Sequence, residues 1–296
     1  MQERSGRPPD EVKACARRAG WSSACSRGAT CGPRRTATTR APPGAAPAAE
    51  ALEGCDPATR FGDDGSPRDD AVDPRGDEAP TVACLAQLAG PRDALACAVG
   101  TGRIAWPLPR AGVRVDGLER SRHLGDRRRE PPDGTTGEVT LGARSRVTTG
   151  CPSGRVSRVD HTIGHLRTPD DQVRGSEHAA RHLSAEGVFV RERRVPTAPA
   201  RPGHPCVDAE PIGVDYVGRD VCRDDPVTQR LDEPPIRLRA AGLACSPIRR
   251  RLAHPPAFDR MARLAGLRRR ERWGGNSDPS TATSWRPVSV DARALA

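Results

Sequence analysis

The chain has 296 residues, room for one large domain or two small ones, with 48 Lys+Arg against 38 Asp+Glu for a net charge of +10. Leu, Ile, Val and Phe supply 46 residues, about one in six, and aromatics 3%, so a core must be built largely on alanine and glycine. No run of about 18 apolar residues exists, which excludes a membrane-spanning helix.

Lys13 is the single lysine, and the preference for Arg, with abundant Ala, Gly and Pro, reads as a GC-rich coding bias. The positive charge is therefore weak evidence for a nucleic-acid partner. Such a partner predicts affinity falling steeply with salt, and the aromatics that stack bases are nearly missing. No charged-then-apolar leader opens the chain, so the expectation is a cytoplasmic protein with reduced thiols.

Residues 1–68 hold Val12, Leu52 and Phe61 as their whole share of Leu, Ile, Val and Phe, and carry runs such as Ala41–Pro47. Such a segment buries too little area to offset its ordering entropy, and the expectation is a disordered, solvated extension. Residues 69–296 form the folded part. Val82, Leu85 and Leu88 recur at spacing three, predicting a short helix over 79–89, which Gly90-Pro91 ends. Ala94–Val99 is a continuous apolar run, as a buried parallel strand requires. Gly100-Thr101-Gly102 follows, then a helical stretch over 103–111 in which Pro109 weakens the helix, then a strand over 113–118 ending at Glu119. Strand, glycine turn, helix, strand, acid is the opening of a βαβ nucleotide-binding unit.

Further on, 138–141 reads as a short strand, 169–183 as a helix and 187–190 as a strand. Residues 214–221 and 235–243 read as antiparallel strands. Phe258, Met261, Leu264 and Leu267 mark an amphipathic helix that runs into Arg268–Trp273. The alternation argues for a parallel α/β sheet.

The ten cysteines contain no CxxC spacing, which gives no support for a zinc ribbon or a redox motif. His161/His165 and His178/His182 have i,i+4 spacing, yet neither pair has a carboxylate between its members in the metalloprotease manner. No metal is expected, and the histidines read as solvated.

Ala98-Val99-Gly100-Thr101-Gly102-Arg103 followed by Val113-Arg114-Val115-Asp116-Gly117-Leu118-Glu119 resembles the first βαβ unit of class I S-adenosylmethionine-dependent methyltransferases of the small-molecule type. Segments at 167–190, 225–230 and 261–275 resemble later parts of the same family in the same order, so the likeness spans about 69–290. The resemblance implies a Rossmann-like sheet, mostly parallel with an antiparallel C-terminal part. It also implies S-adenosylmethionine as cofactor and a small-molecule methyl acceptor. By resemblance, Gly100, Thr101 and Gly102 line the methionine and ribose part of the cofactor. Glu119, seventeen residues beyond Gly102, accepts hydrogen bonds from the ribose diol. Asp160 and His161, at the edge of the fourth strand, are the candidates for a base. The chain departs from the family pattern at Ala96 and Ala143, where acids are usual. It departs again over 151–160, where a proline and two arginines replace an apolar strand, so that strand is expected to be broken. A remnant that has lost cofactor binding is the alternative reading.

Overall fold

The computed structural model describes residues 76–121, 137–142, 152–195, 206–209, 216–233, 235–239, 242–245, 248–274 and 286–294. The extension at 1–68 and Ala143 lie outside the described residues. Helix α1 (Glu78–Ala89) buries Thr81, Val82, Cys84, Leu85 and Ala89, and the backbone N–H of Gly90 (φ 60°) closes it on the Ala86 carbonyl. Strand β1 (Ala94–Cys97) follows and is buried along its length, as its unbroken apolar run predicts.

Strand β2 (Val115–Glu119) pairs with β1 in parallel, and β3 (Val139–Leu141) pairs with β2 in parallel. Strand β4 (Ser153–Arg158) lies in parallel between β1 and β5 (Leu183–Glu192). The sheet is completed by β12 (Leu267–Trp273) and β13 (Val288–Arg293), giving the order β12-β13-β5-β4-β1-β2-β3, with β13 antiparallel to both its neighbours. Helix α2 (Pro169–His182) starts with Pro169 in its first turn and the Thr168 side chain accepting from the Asp171 N–H at 3.0 Å. Helix α3 (Pro255–Leu264) packs between α2 and β12.

Side chains of β1 alternate between two cores. Ala94 and Ala96 join Leu85, Val115, Val190 and Trp106 on one face. Leu95 and Cys97 join Val156, Ala179, Phe189 and Ala262 on the other. Two histidines expected to be solvated are in this layer: His178 and His182 are buried, their rings 4.4 Å apart, with His182 Nδ1 2.8 Å from the His178 carbonyl.

Two expectations need correction. Residues 103–111 form turns and a three-residue 3-10 turn (Pro109–Ala111) rather than a helix. The Trp106 N–H reaches the Gly102 carbonyl at 2.9 Å, one helical bond, but Pro107 and Pro109 have no N–H to extend the series. The strand expected to be broken is intact and central. Pro152 falls just outside β4, so no ladder bond is lost. Arg155 and Arg158 are buried on opposite faces, Arg155 near Cys84 of α1 and Arg158 against Gly175 of α2. A Cβ on Gly175 would stand 2.6 Å from Leu166 Cδ1 and 2.9 Å from Arg158 Nη1, so the glycine makes the room that the guanidinium occupies.

Between β5 and α3 the chain builds a second, antiparallel sheet. It contains β6 (Cys206–Ala209), β7 (Tyr216–Asp225), β8 (Arg230–Glu233), β9 (Pro235–Arg239), β10 (Gly242–Cys245) and β11 (Ile248–Arg251). Its order is β10-β9-β7-β8-β11, with β6 also on β7. The antiparallel reading of 214–221 against 235–243 matches the β7–β9 ladder.

Candidate active site

The site grows from the bend that follows β1. The Ala98 and Val99 N–H groups both donate to the Leu118 carbonyl, at 2.7 and 3.1 Å, which holds the bend against the end of β2. Ala98 (φ 65°), Gly100 (φ 61°) and Gly102 (φ 86°) are left-handed, a conformation that costs little only for glycine. A Cβ at Gly100 would meet nothing within 4 Å, so that side of the bend is open. A Cβ at Gly102 would collide with the buried Trp106 indole.

Glu119 ends β2 and is 2% exposed. Its Oε2 accepts the Gly100 N–H at 2.8 Å, and its Oε1 accepts the Arg120 and Ser121 N–H groups at 2.7 and 3.0 Å. The acidic side chain thus turns toward the bend. A carboxylate offers about four lone-pair positions. Three are taken by backbone donors, leaving one on Oε2 beside the Gly100 N–H. Ala96, where the family pattern has an acid, packs in the apolar core and brings no charge to the bend.

The third part lies at the end of β4. Asp160 (φ 59°) and His161 (φ 56°) are consecutive left-handed residues, followed by a 3-10 turn at Thr162–His165. The Asp160 carboxylate is ion-paired with Arg103, next to Gly102. The Asp160 N–H donates to Glu192 Oε2 at 2.9 Å, and Arg286 Nη2 donates to Glu192 Oε1 at 2.9 Å. Burial of the His161 ring drives its pKa down to about 4, outweighing the nearby Glu192 and Asp160 carboxylates. Gly100, Thr101, Gly102, Glu119, Asp160 and His161 therefore sit along one edge, where β1, β2 and β4 end. This is the switch point of the sheet, because β1 has β2 on one side and β4 on the other. Arg103 and Glu192 were not expected members. Arg103 was visible in the turn motif, whereas nothing in the local sequence marks Glu192, which is placed by the β4–β5 register.

The fold matches the solved CcbJ methyltransferase from Streptomyces caelestis with a TM-score of 0.67 and 30% identity, covering 72% of this chain and 94% of that one. The chain belongs to the class I S-adenosylmethionine-dependent methyltransferases. An S-adenosylmethionine-dependent methyltransferase from Clostridium acetobutylicum shares the fold at TM-score 0.63 and 10% identity, covering 77% of this chain and 96% of that one. CalS10, an amino pentose methyltransferase from Micromonospora echinaspora solved with S-adenosylmethionine bound, does so at 0.54 and 17%, covering 83% and 95%. No family model matches the sequence, and no curated protein does. Among the described residues no helix of this methyltransferase fold is long and apolar enough to cross a membrane.

The residues present fit the family's cofactor. The bend is open at Gly100, its N–H groups face the end of β2, and the buried Glu119 carboxylate keeps one acceptor position beside them.

Proposed function

We propose that this methyltransferase moves a methyl group from S-adenosylmethionine to a small-molecule acceptor at the edge where β1, β2 and β4 end. The observation that carries this reading is the 2.8 Å hydrogen bond from the Gly100 N–H to Glu119, made across two parallel strands. Gly100, Thr101 and Gly102 would hold the methionine and ribose part of the cofactor, and Glu119 a ribose hydroxyl. The cofactor, when bound, supplies an electrophilic methyl group. The protein's part is mostly alignment of the acceptor.

Asp160 and His161 are the acceptor-side groups. With its pKa near 4, His161 is neutral at physiological pH and accepts a hydrogen bond from an acceptor N–H or O–H. It is too weak a base to hold a proton taken from a hydroxyl. Asp160, paired with Arg103, is better suited to hold an acceptor in place than to abstract. This favours an acceptor that needs little help losing its proton, such as an amine. CalS10, which shares the fold, is an amino pentose methyltransferase.

A second reading, a remnant without activity, is favoured by the missing helix after the bend and by Arg155 and Arg158, whose guanidinium nitrogens have no hydrogen-bond partner. Mass-spectrometric detection of S-adenosylhomocysteine separates the two. Incubation of the full chain with S-adenosylmethionine and a panel of small amines should release it faster than the cofactor alone. No release above background across the panel, from a folded sample that also shows no binding of the cofactor, supports the remnant.

A further inference from the structure

Asp160 (φ 59°) and His161 (φ 56°) are left-handed without being glycine, a conformation that persists only where surrounding contacts impose it. On the Asp160 side, Glu192 takes the backbone N–H at 2.9 Å. On the other side the chain turns tightly. The Gly164 N–H donates to the His161 carbonyl at 2.9 Å, and the Leu166 N–H to the Ile163 carbonyl at 3.1 Å. What holds this turn from outside is Gln172 of α2.

Gln172 is fully buried. Its Nε2 donates to the Ile163 carbonyl and to the Arg251 carbonyl of β11, each at 3.3 Å, and its Oε1 accepts from Arg251 Nη1. Carbonyls only accept and a guanidinium only donates, so the flipped amide would lose all three bonds. Both amide hydrogens are thus committed, one to the turn after β4 and one to the second sheet. Arg251 in turn donates to the Gln229 side chain, at the turn between β7 and β8. The amide is mounted on a rigid support: the Gln172 N–H donates to the Thr168 carbonyl at 3.1 Å, in the capped first turn of α2. The turn and β11 are also closely packed, since a Cβ on Gly164 would stand 3.4 Å from Arg250 Cβ and 3.5 Å from the Arg251 carbonyl oxygen. Ile163 lies two residues past His161, so displacing its carbonyl displaces the imidazole.

We infer that Gln172 is a positioning residue, which clamps the turn after β4 onto β11 and so sets where His161 stands at the sheet edge. The clamp does not depend on the reaction; its part in catalysis rests on the proposed methyl transfer. Through this one amide the second sheet is joined to the acceptor side of the site.

The His161 ring reports its own position without turnover. Burial holds its pKa down to about 4 from 6.5, with Glu192 and Asp160 pulling upward and Arg250 and Arg286 pushing down. A displaced turn admits water to the ring and returns it toward 6.5. The test is an NMR titration of the histidine rings in the folded full chain, with the His161 signal assigned by its loss in His161→Asn. Wild type, Gln172→Met and Gln172→Glu are compared. Methionine keeps the length and loses all three bonds, whereas glutamate keeps the bond from Arg251 and sets an oxygen against the two carbonyls. In both variants His161 should titrate nearer 6.5 than 4. For an amine that the wild type methylates, kcat should fall about tenfold or more while the Kd for S-adenosylhomocysteine stays within about twofold. If Gln172→Met does not fold, Gln172→Glu carries the same expectation. A wild-type His161 titration in both variants, or a wild-type kcat in both, overturns the inference. Failure of both to fold makes the amide a stability element and overturns it as well. A shifted titration beside a wild type that releases no S-adenosylhomocysteine upholds the clamp and sinks the methyl-transfer reading.

Discussion

The Arg103 guanidinium is ion-paired with the Asp160 carboxylate, linking the bend after β1 to the left-handed pair that ends β4. Residues far apart in sequence are thereby fixed across the crevice proposed to hold cofactor and acceptor. Arg103→Gln is expected to leave cofactor affinity within a few-fold and to lower the methyl-transfer rate about tenfold or more, since misplacing a reacting group costs rate steeply. Calorimetry and turnover measured together distinguish this from a general loss of folding.

The two glycines of the bend should respond differently to alanine. At Gly100 (φ 61°) the added Cβ meets open space, so the cost is backbone strain of about 1–2 kcal/mol. At Gly102 (φ 86°) the same strain is joined by a collision with the Trp106 ring, which must shift inside a packed core. Overpacking of that kind adds about 1–3 kcal/mol. Denaturant unfolding should therefore rank Gly102→Ala well below Gly100→Ala in stability.

His161 predicts an acid-side loss of stability. Its folded pKa is depressed to about 4 from 6.5, so below pH 6.5 the unfolded chain takes up a proton that the folded chain does not. Stability falls as pH drops from about 6.5 toward 4, and this contribution levels off below 4. His161→Asn should flatten the profile in that window, as read by denaturant midpoints at stepped pH.

Arg155 and Arg158 test how the central strand tolerates charge. Neither side chain has a hydrogen-bonding partner, and burial lowers the Arg155 pKa to about 9. Replacing each by Met keeps much of the volume and removes a desolvated cation. Each variant should be more stable by about 1–4 kcal/mol, a gain visible as a raised thermal midpoint.

Much of the fold could be read from local pattern. The apolar run Ala94–Val99, the Thr168-Pro169 helix start and the periodic Phe258, Met261 and Leu264 need no tertiary context to declare a strand and two helices. The bend and Glu119 were marked by their resemblance to the family's first βαβ unit, since a glycine turn alone is a weak signal, and the structure brings the two together. β4 was misjudged because its sequence, with Arg155 and Arg158, argues against a central strand. Room for those chains comes from outside it, from Gly175 on α2 in the case of Arg158. The failed helix over 103–111 is the opposite case, where a helical stretch already weakened by Pro109 was expected and the prolines decided. Glu192 could not have been found locally. Its place beside Asp160 depends on the register of β5 against β4.

The grip on the cofactor is tested most directly by calorimetric titration of the folded full chain with S-adenosylhomocysteine, beside a Glu119→Gln variant. Hydrogen bonds to a charged group contribute about 1.5–3 kcal/mol, so the variant should bind at least tenfold more weakly than a wild type with a micromolar-range Kd. Absence of heat from a cooperatively folding wild type, or equal affinity in the two proteins, would contradict a bend and carboxylate that act together.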